Sequence, residues 1–256
     1  MWVGMAMMPL FFLGFGVFAH FIPPPSPHAS AAAIAQIFAG NRTGIRVGMF
    51  ISTAAGALLA FLFAVIATQL SRIEGPHRTL TYVQLISGAC TVLEFILPPL
   101  FWQNAAFRAT RAAATVQTLN DLAWLPFLGI TGTLIAQQIV IAIAILRDPR
   151  ANPVMPRWVG YANLWAALGI VPASFVVFFH SGPLGWNGAL AWWLVLVDFF
   201  IWMCVMAYGL NSAINHQARE EVDGSAEPDL ATLAAEVAAL RSELQATRDP
   251  EGIRTR

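Results

Sequence analysis

The 256-residue chain is 57% hydrophobic and 11% charged, where a soluble domain carries about 25% charged residues, so it is built for lipid. Its net charge is zero and all 14 basic residues are Arg. Without Lys there is no Schiff base for retinal or pyridoxal phosphate and no P-loop, so those cofactors are excluded; no cofactor and no nucleic-acid partner are expected.

Six runs reach the roughly 20 apolar residues that cross a bilayer. They are 2–22, 45–70, 80–102, 121–146, 158–180 and 187–211, which predicts an all-α, six-helix transmembrane bundle. The first run has His20 near its end and leads into "FIPPPSP". It lacks a basic n-region and a small-residue cleavage site, so it reads as a span and not as a signal peptide. Segment 28–40, "HASAAAIAQIFAG", has a helical pattern and is expected to lie at the outer interface. The second run carries small residues every four positions, Gly48, Ser52, Gly56, Ala60, Ala64 and Thr68, a row that lets helices approach closely. Its Gly48, Ser52, Gly56 and Ala60 face is a candidate surface for a homo-oligomer or a membrane-complex partner.

The third run holds Glu94 in "TVLEFILPPLFW". A charged group at mid-bilayer costs about 2.5–3.5 kcal/mol on insertion scales, so it points to a function. Pro98 lacks an N–H and leaves the carbonyl of Glu94 unbonded, and Pro99 does the same to Phe95. Interrupted helices with polar groups are where transporters place their sites. Segment 104–119 reads as a second outer helix with Arg108 and Arg111 near its middle.

The fourth run opens on Asn120 and Asp121, for which a helix cap is the ordinary role and a site the secondary one. It also contains Gln137 and Gln138. The fifth holds Asn163, a Pro172 that should bend it, and His180 at its end. The sixth carries Asp198 in "LVLVDFFIW". Glu94 and Asp198 are expected to share an outer-half cavity as a proton-exchanging pair, with Asp121, Gln137 and Asn163 as further substrate or ion ligands. No catalytic residue is assigned. His20 and His180, at the outer surface with carboxylates at one level, are the candidate metal ligands, although no spacing such as H-x₃-H accompanies them. Cys90 and Cys204 lie in apolar runs and read as packed small hydrophobes.

Charge is divided unevenly: residues 1–211 hold nine Arg against five acids and residues 212–256 hold five against nine. Segment 212–228 reads as a linker. In 229–247, Leu230, Leu233, Val237, Leu240 and Leu244 recur at three and four residues, the seam of a short coiled coil and a second partner surface. Residues 248–256 read as a disordered tail. The connections at one face carry Arg72, Arg78, Arg147, Arg150, Arg157 and Arg219, and those at the other Arg42, Arg108 and Arg111; the positive-inside rule puts both termini in the cytoplasm. Trp2 and Trp158 then mark the inner interface and Trp102, Trp124 and Trp186 the outer one.

The stretches "FIPPPSP", "NRTGIRVGMF", "NDLAWL" and "PRWVGYANLW" resemble a family of six-span integral membrane proteins of high-GC bacteria. The resemblance covers about residues 10–215. It implies a single membrane domain in a bacterial plasma membrane and carries over no activity. A transporter or channel handling a small molecule or ion is the leading expectation. An accessory or scaffold subunit is the second and a membrane-embedded, metal-dependent enzyme the third, so the reading leans away from catalysis.

Overall fold

The computed structural model of the protein describes residues 1–225 and 230–248. Among them every regular element is helical. Five helical stretches are long and apolar enough to cross a membrane: Arg42–Glu74, Thr79–Phe107, Ala113–Leu146, Arg157–Val177 and Ala189–Glu220.

The first apolar run is shorter. It comprises α1 (Trp2–Met5), α2 (Met7–Phe12) and a π-helical turn over Leu13–Phe18. Seventeen residues at 1.5 Å each reach about 25 Å, just under the roughly 30 Å of a hydrocarbon core. It lies antiparallel to the first long stretch, α4 (Arg42–Ala57) and α5 (Leu59–Glu74). A Cβ on Gly4 would come within 2.7 Å of Leu62, one on Gly14 within 2.5 Å of the Gly48 carbonyl, and one on Gly48 within 2.2 Å of the Gly14 carbonyl. Much of the small-residue row is therefore used inside the chain. Gly48 and Ser52 receive the first segment and Gly56 receives Phe95 of the next helix. Ala60, Ala64 and Thr68 remain exposed, because the helix is interrupted at Leu58 and its face turns.

α3 (Ala31–Gly40) is capped by Ser30, whose hydroxyl accepts from the Ala33 N–H at 3.3 Å, and packs against α7 (Ala113–Gly129). The expected second outer helix does not form. Residues 104–107 continue α6 (Thr79–Phe107), the helix breaks at Arg108–Ala112, and 113–119 begin α7. Arg42 donates to the Ala109 carbonyl at 3.3 Å and Arg46 lies 5.9 Å from the Phe107 ring, which fixes this corner.

α6 is the central helix, packed by α4, α5, α7 and α8 (Gly132–Leu146). α9 (Arg157–Ile170) passes into a 3₁₀ segment, Val171–Val177, where Pro172 withholds its N–H. A π-helical turn, Ala189–Leu194, opens the last span and runs into α10 (Val195–Ser225). The stretch expected as a linker is thus helical as far as Ser225; the rest of 212–228 lies outside the described residues.

Charged and polar side chains gather at one end of the bundle. Arg72 donates to Gln69 at 2.7 Å and to the Ala213 carbonyl at 3.4 Å, Arg150 to the Arg72 carbonyl at 2.6 Å, and Asp148 accepts from the Val154 N–H at 2.8 Å. This is called the Asp148 end, and the opposite one, at Arg42 and Arg108, the Trp186 end.

Contacts divide the chain into Met1–Ala213 and Ile214–Arg256. The second unit contains α11 (Leu230–Arg248), with Val237, Leu240 and Leu244 exposed along it. The disordered tail expected after 247 lies outside the described residues beyond Arg248.

Gly48→Ala should lower stability by about 1–3 kcal/mol, since its methyl would meet backbone rather than a movable side chain. Gly40→Ala, where nothing lies within 4 Å of the new methyl, should be near neutral. Thermal unfolding of both variants in detergent checks the contrast; equal melting points would mean that the first segment is not seated in this groove.

Candidate functional site

Glu94 stands within a turn of the midpoint of α6, between Thr79 and Phe107. Its side chain is only 8% exposed and its Oε2 has no hydrogen-bond partner in the protein. It lines a small cavity of about 60 Å³ whose other walls are almost wholly apolar. Met7 and Phe11 come from the first segment, Phe127 and Leu128 from α7, Leu134 from α8, Ile170 from α9, and Trp192, Leu196, Phe199 and Phe200 from the last span. Among the lining residues the other side chains with polar atoms are Thr131 and Trp192, whose indole N–H has no hydrogen-bond partner in the protein.

Four local irregularities surround this cavity, each with a sequence cause or a packing result. The π turn at Leu13–Phe18 places Phe15 in the core, and the one at Ala189–Leu194 places Trp192. Between α7 and α8 the fourth span breaks at Ile130 (φ −86, ψ 63), between Gly129 and Gly132 and just after Pro126. Non-helical backbone at membrane depth is tolerated where it lines a cavity or is buried in protein. Thr131 lies in the break, and its hydroxyl is hydrogen-bonded to that of Ser174 in the 3₁₀ segment.

Toward the Trp186 end lies a cluster of aromatic rings. Phe15, Trp102, Trp124 and Trp192 meet at centroid distances of 4.9–5.9 Å, mostly edge to face. Trp102 and Trp124 are therefore core residues and not members of an interfacial belt: both are fully buried. Trp102 is two turns beyond Phe95 along α6, so the cluster extends from Trp192, which lines the cavity, toward that end. Trp186 is also buried, and its indole N–H donates to the Pro25 carbonyl at 2.7 Å.

Asp198 stands at the depth of Glu94, since the Phe95 and Phe199 rings stack at 5.2 Å, but it does not line the cavity. It turns toward α9, where a Cβ on Gly169 would come within 2.8 Å of its Oδ1. Phe199 and Phe200 take the cavity-facing positions instead, and the missing side chain of Gly169 leaves room for the carboxylate on the other side.

The remaining candidates lie elsewhere. Asn163 is a structural link between α9 and α10. It accepts from the Trp202 indole at 2.8 Å and donates to the Val159 carbonyl at 2.8 Å. Gln137 is fully buried against Gly88 of α6. Asp121 is not a helix cap, because α7 begins eight residues earlier at Ala113; Asn120 donates to it at 3.5 Å and accepts from Trp124 at 3.1 Å. His20 follows the first segment in the left-handed region (φ 58), and both it and His180 are exposed. Among the described residues no three His, Cys, Asp or Glu side chains gather as metal ligands.

Thr131 and the break beside it are the parts of the site that the sequence reading passed over. The signal was the trio of Pro126, Gly129 and Gly132 inside an apolar run.

Asn163→Leu should destabilise the protein by about 1–3 kcal/mol, because it strands the buried Trp202 N–H. Intrinsic fluorescence should report a changed Trp environment; an unchanged melting point would show that this link is dispensable.

No protein-family model matches the chain, and neither a curated protein nor a solved structure shows significant similarity to it. What the geometry supports is a helical membrane protein with a mid-depth apolar cavity that a single buried carboxyl group enters.

Proposed function

We propose that the protein is of transporter type and takes into this cavity a small, mainly apolar molecule bearing one amine or similar hydrogen-bond-donating head. The observation that carries the reading is Glu94: a carboxyl group with an unpaired oxygen, set into a small cavity whose other walls are almost wholly apolar. Ligand pockets are mostly apolar with a few placed polar groups, and intramembrane ionisable residues mark substrate or ion pathways. The broken fourth span beside it adds backbone groups at the same depth, as discontinuous transporter helices do. The apolar walls supply affinity without selectivity, and Glu94 selects the head group.

A second reading, an accessory subunit, draws on one observation. Val237, Leu240 and Leu244 are exposed at heptad spacing on α11, a surface suited to a partner helix.

The ligand reading is tested by binding of tritiated lipophilic amines to the protein in nanodiscs. Glu94→Gln should weaken binding about 10–100-fold, as expected for loss of a charge-assisted hydrogen bond of about 1.5–3 kcal/mol. Uncharged analogues of the same size should be indifferent to the substitution. Amine binding that is the same in both proteins would overturn the reading.

The proposed orientation places the Asp148 end in the cytoplasm. Cysteines introduced for Ser30 or Ala112 in a cysteine-free protein should react with an impermeant maleimide from outside, and one for Asn152 only after the inner face is exposed. The reverse pattern would invert the topology.

A further inference from the structure

Glu94 is also one end of a buried polar row that the apolar cavity does not explain. α6 carries Thr81, Gln84, Ser87, Thr91 and Glu94 at intervals of three and four residues, hence on one face, and all five are buried. From α8 the fully buried Gln137 sets its amide against Gly88, where a Cβ would stand 2.8 Å from Nε2, and Gln138 next to it is fully buried as well. Gln84 donates to the Phe63 carbonyl at 3.4 Å. Its Oε1, both polar atoms of Gln137 and of Gln138, and Oε2 of Glu94 have no partner in the protein.

Amides that merely held two helices together would be paired with each other or with backbone. Leaving several of them unpaired is costly, and such groups are ordinarily met by internal water. The row also ends on a second carboxylate. Glu74 accepts from the Leu80 N–H at 2.9 Å, the Thr81 N–H at 2.7 Å and the Thr81 hydroxyl at 2.6 Å, at the Asp148 end of α6. From Thr81 to Glu94 is about 20 Å along the helix, with a polar side chain at each turn.

We propose that this row is a proton path between Glu94 and the aqueous face at Glu74, an inference that rests on Glu94 being the cavity's binding group. Water held by the Gln84, Gln137 and Gln138 amides relays the proton. The Glu94 carboxylate accepts one proton to become the neutral acid and releases one to return, so only O–H bonds form and break. The amides do not titrate. Of the elements around Glu94, the first segment and α8 carry no ionisable side chain, Arg42 and Arg46 of α4 and Arg72 and Glu74 of α5 stand at helix ends, Asp121 of α7 does not line the cavity, and Asp198 of α10 turns to Gly169. Ligand and proton then compete for one carboxylate from two directions, which is the requirement for coupling transport to a proton gradient.

A hydrophobic carbodiimide modifies a protonated carboxyl group, and peptide mass spectrometry locates the adduct. Right-side-out and inverted membrane vesicles holding the full chain are labelled with the two faces buffered at different pH. Modification of Glu94 should follow the pH on the Glu74 side, falling about tenfold per pH unit once that pH exceeds the pKa of Glu94. Gln84→Leu or Gln138→Leu should make it several-fold less responsive to that face, while Gln84→Asn, which keeps an amide, should respond like the unaltered protein. If the reagent does not reach Glu94, the infrared carboxyl C=O band that disappears in Glu94→Gln gives the same readout. Protonation that follows the Trp186 side, or that still follows the Glu74 side in both Leu variants, would overturn the path. Neither experiment uses a cavity ligand, so their failure leaves the amine-binding test to stand or fall separately.

Discussion

The rest of the structure is arranged around one constraint: a carboxyl group has to be kept at the middle of an apolar bundle. In lipid that group costs several kcal/mol, and only protein or enclosed water can offset the loss of solvent. Glu94 is accordingly on α6, which α4, α5, α7 and α8 cover. Its surroundings are of two kinds. One is the apolar cavity, and the other is a face of α6 and α8 on which amides and hydroxyls replace the usual aliphatic side chains.

The irregular backbone follows from the same demand. A regular helix satisfies all its backbone groups and offers none to a ligand. Around the cavity two π turns, a 3₁₀ segment and a broken span depart from that regularity, and the π turns are sheltered by aromatic packing. π turns rotate the side chains that follow them relative to a straight helix, and here they set Phe15 and Trp192 into one cluster with Trp102 and Trp124. That cluster holds the first segment in place although this segment is slightly short for a full crossing. Glycine contact does the rest, since the Gly14 and Gly48 backbones approach more closely than any side chain would allow.

The two intramembrane carboxylates show how one depth serves two environments. Stacking of Phe95 on Phe199 brings α6 and α10 together at their level, yet the helices turn them apart. Glu94 enters a cavity, while Asp198 lies against a glycine of α9 with one oxygen unpaired. The proposed function thus rests on a single carboxyl: in that reading one group selects the ligand and exchanges the proton.

Composition and run length determined the class of this protein, because burying a backbone in lipid permits only long apolar helices or closed barrels, and these runs have helical length. They also singled out Glu94, since a mid-membrane charge is costly unless its neighbours offset the lost solvent, and the three- and four-residue spacing from Thr81 to Glu94 already put five polar groups on one face. Depth along a helix is therefore legible in sequence. Facing is not, because the rotation of one helix against another depends on where glycines allow approach and where a turn is π or 3₁₀. That is why Trp102 and Trp124 are in the core instead of at an interface, why Asp121 is in mid-helix instead of at a cap, and why half of the small-residue row is covered by the chain's own first segment and α6. Only the tertiary structure decided that Asp198 turns from the cavity and that the Gln137 amide of α8 meets the polar face of α6, because both depend on side chains brought together from spans distant in sequence.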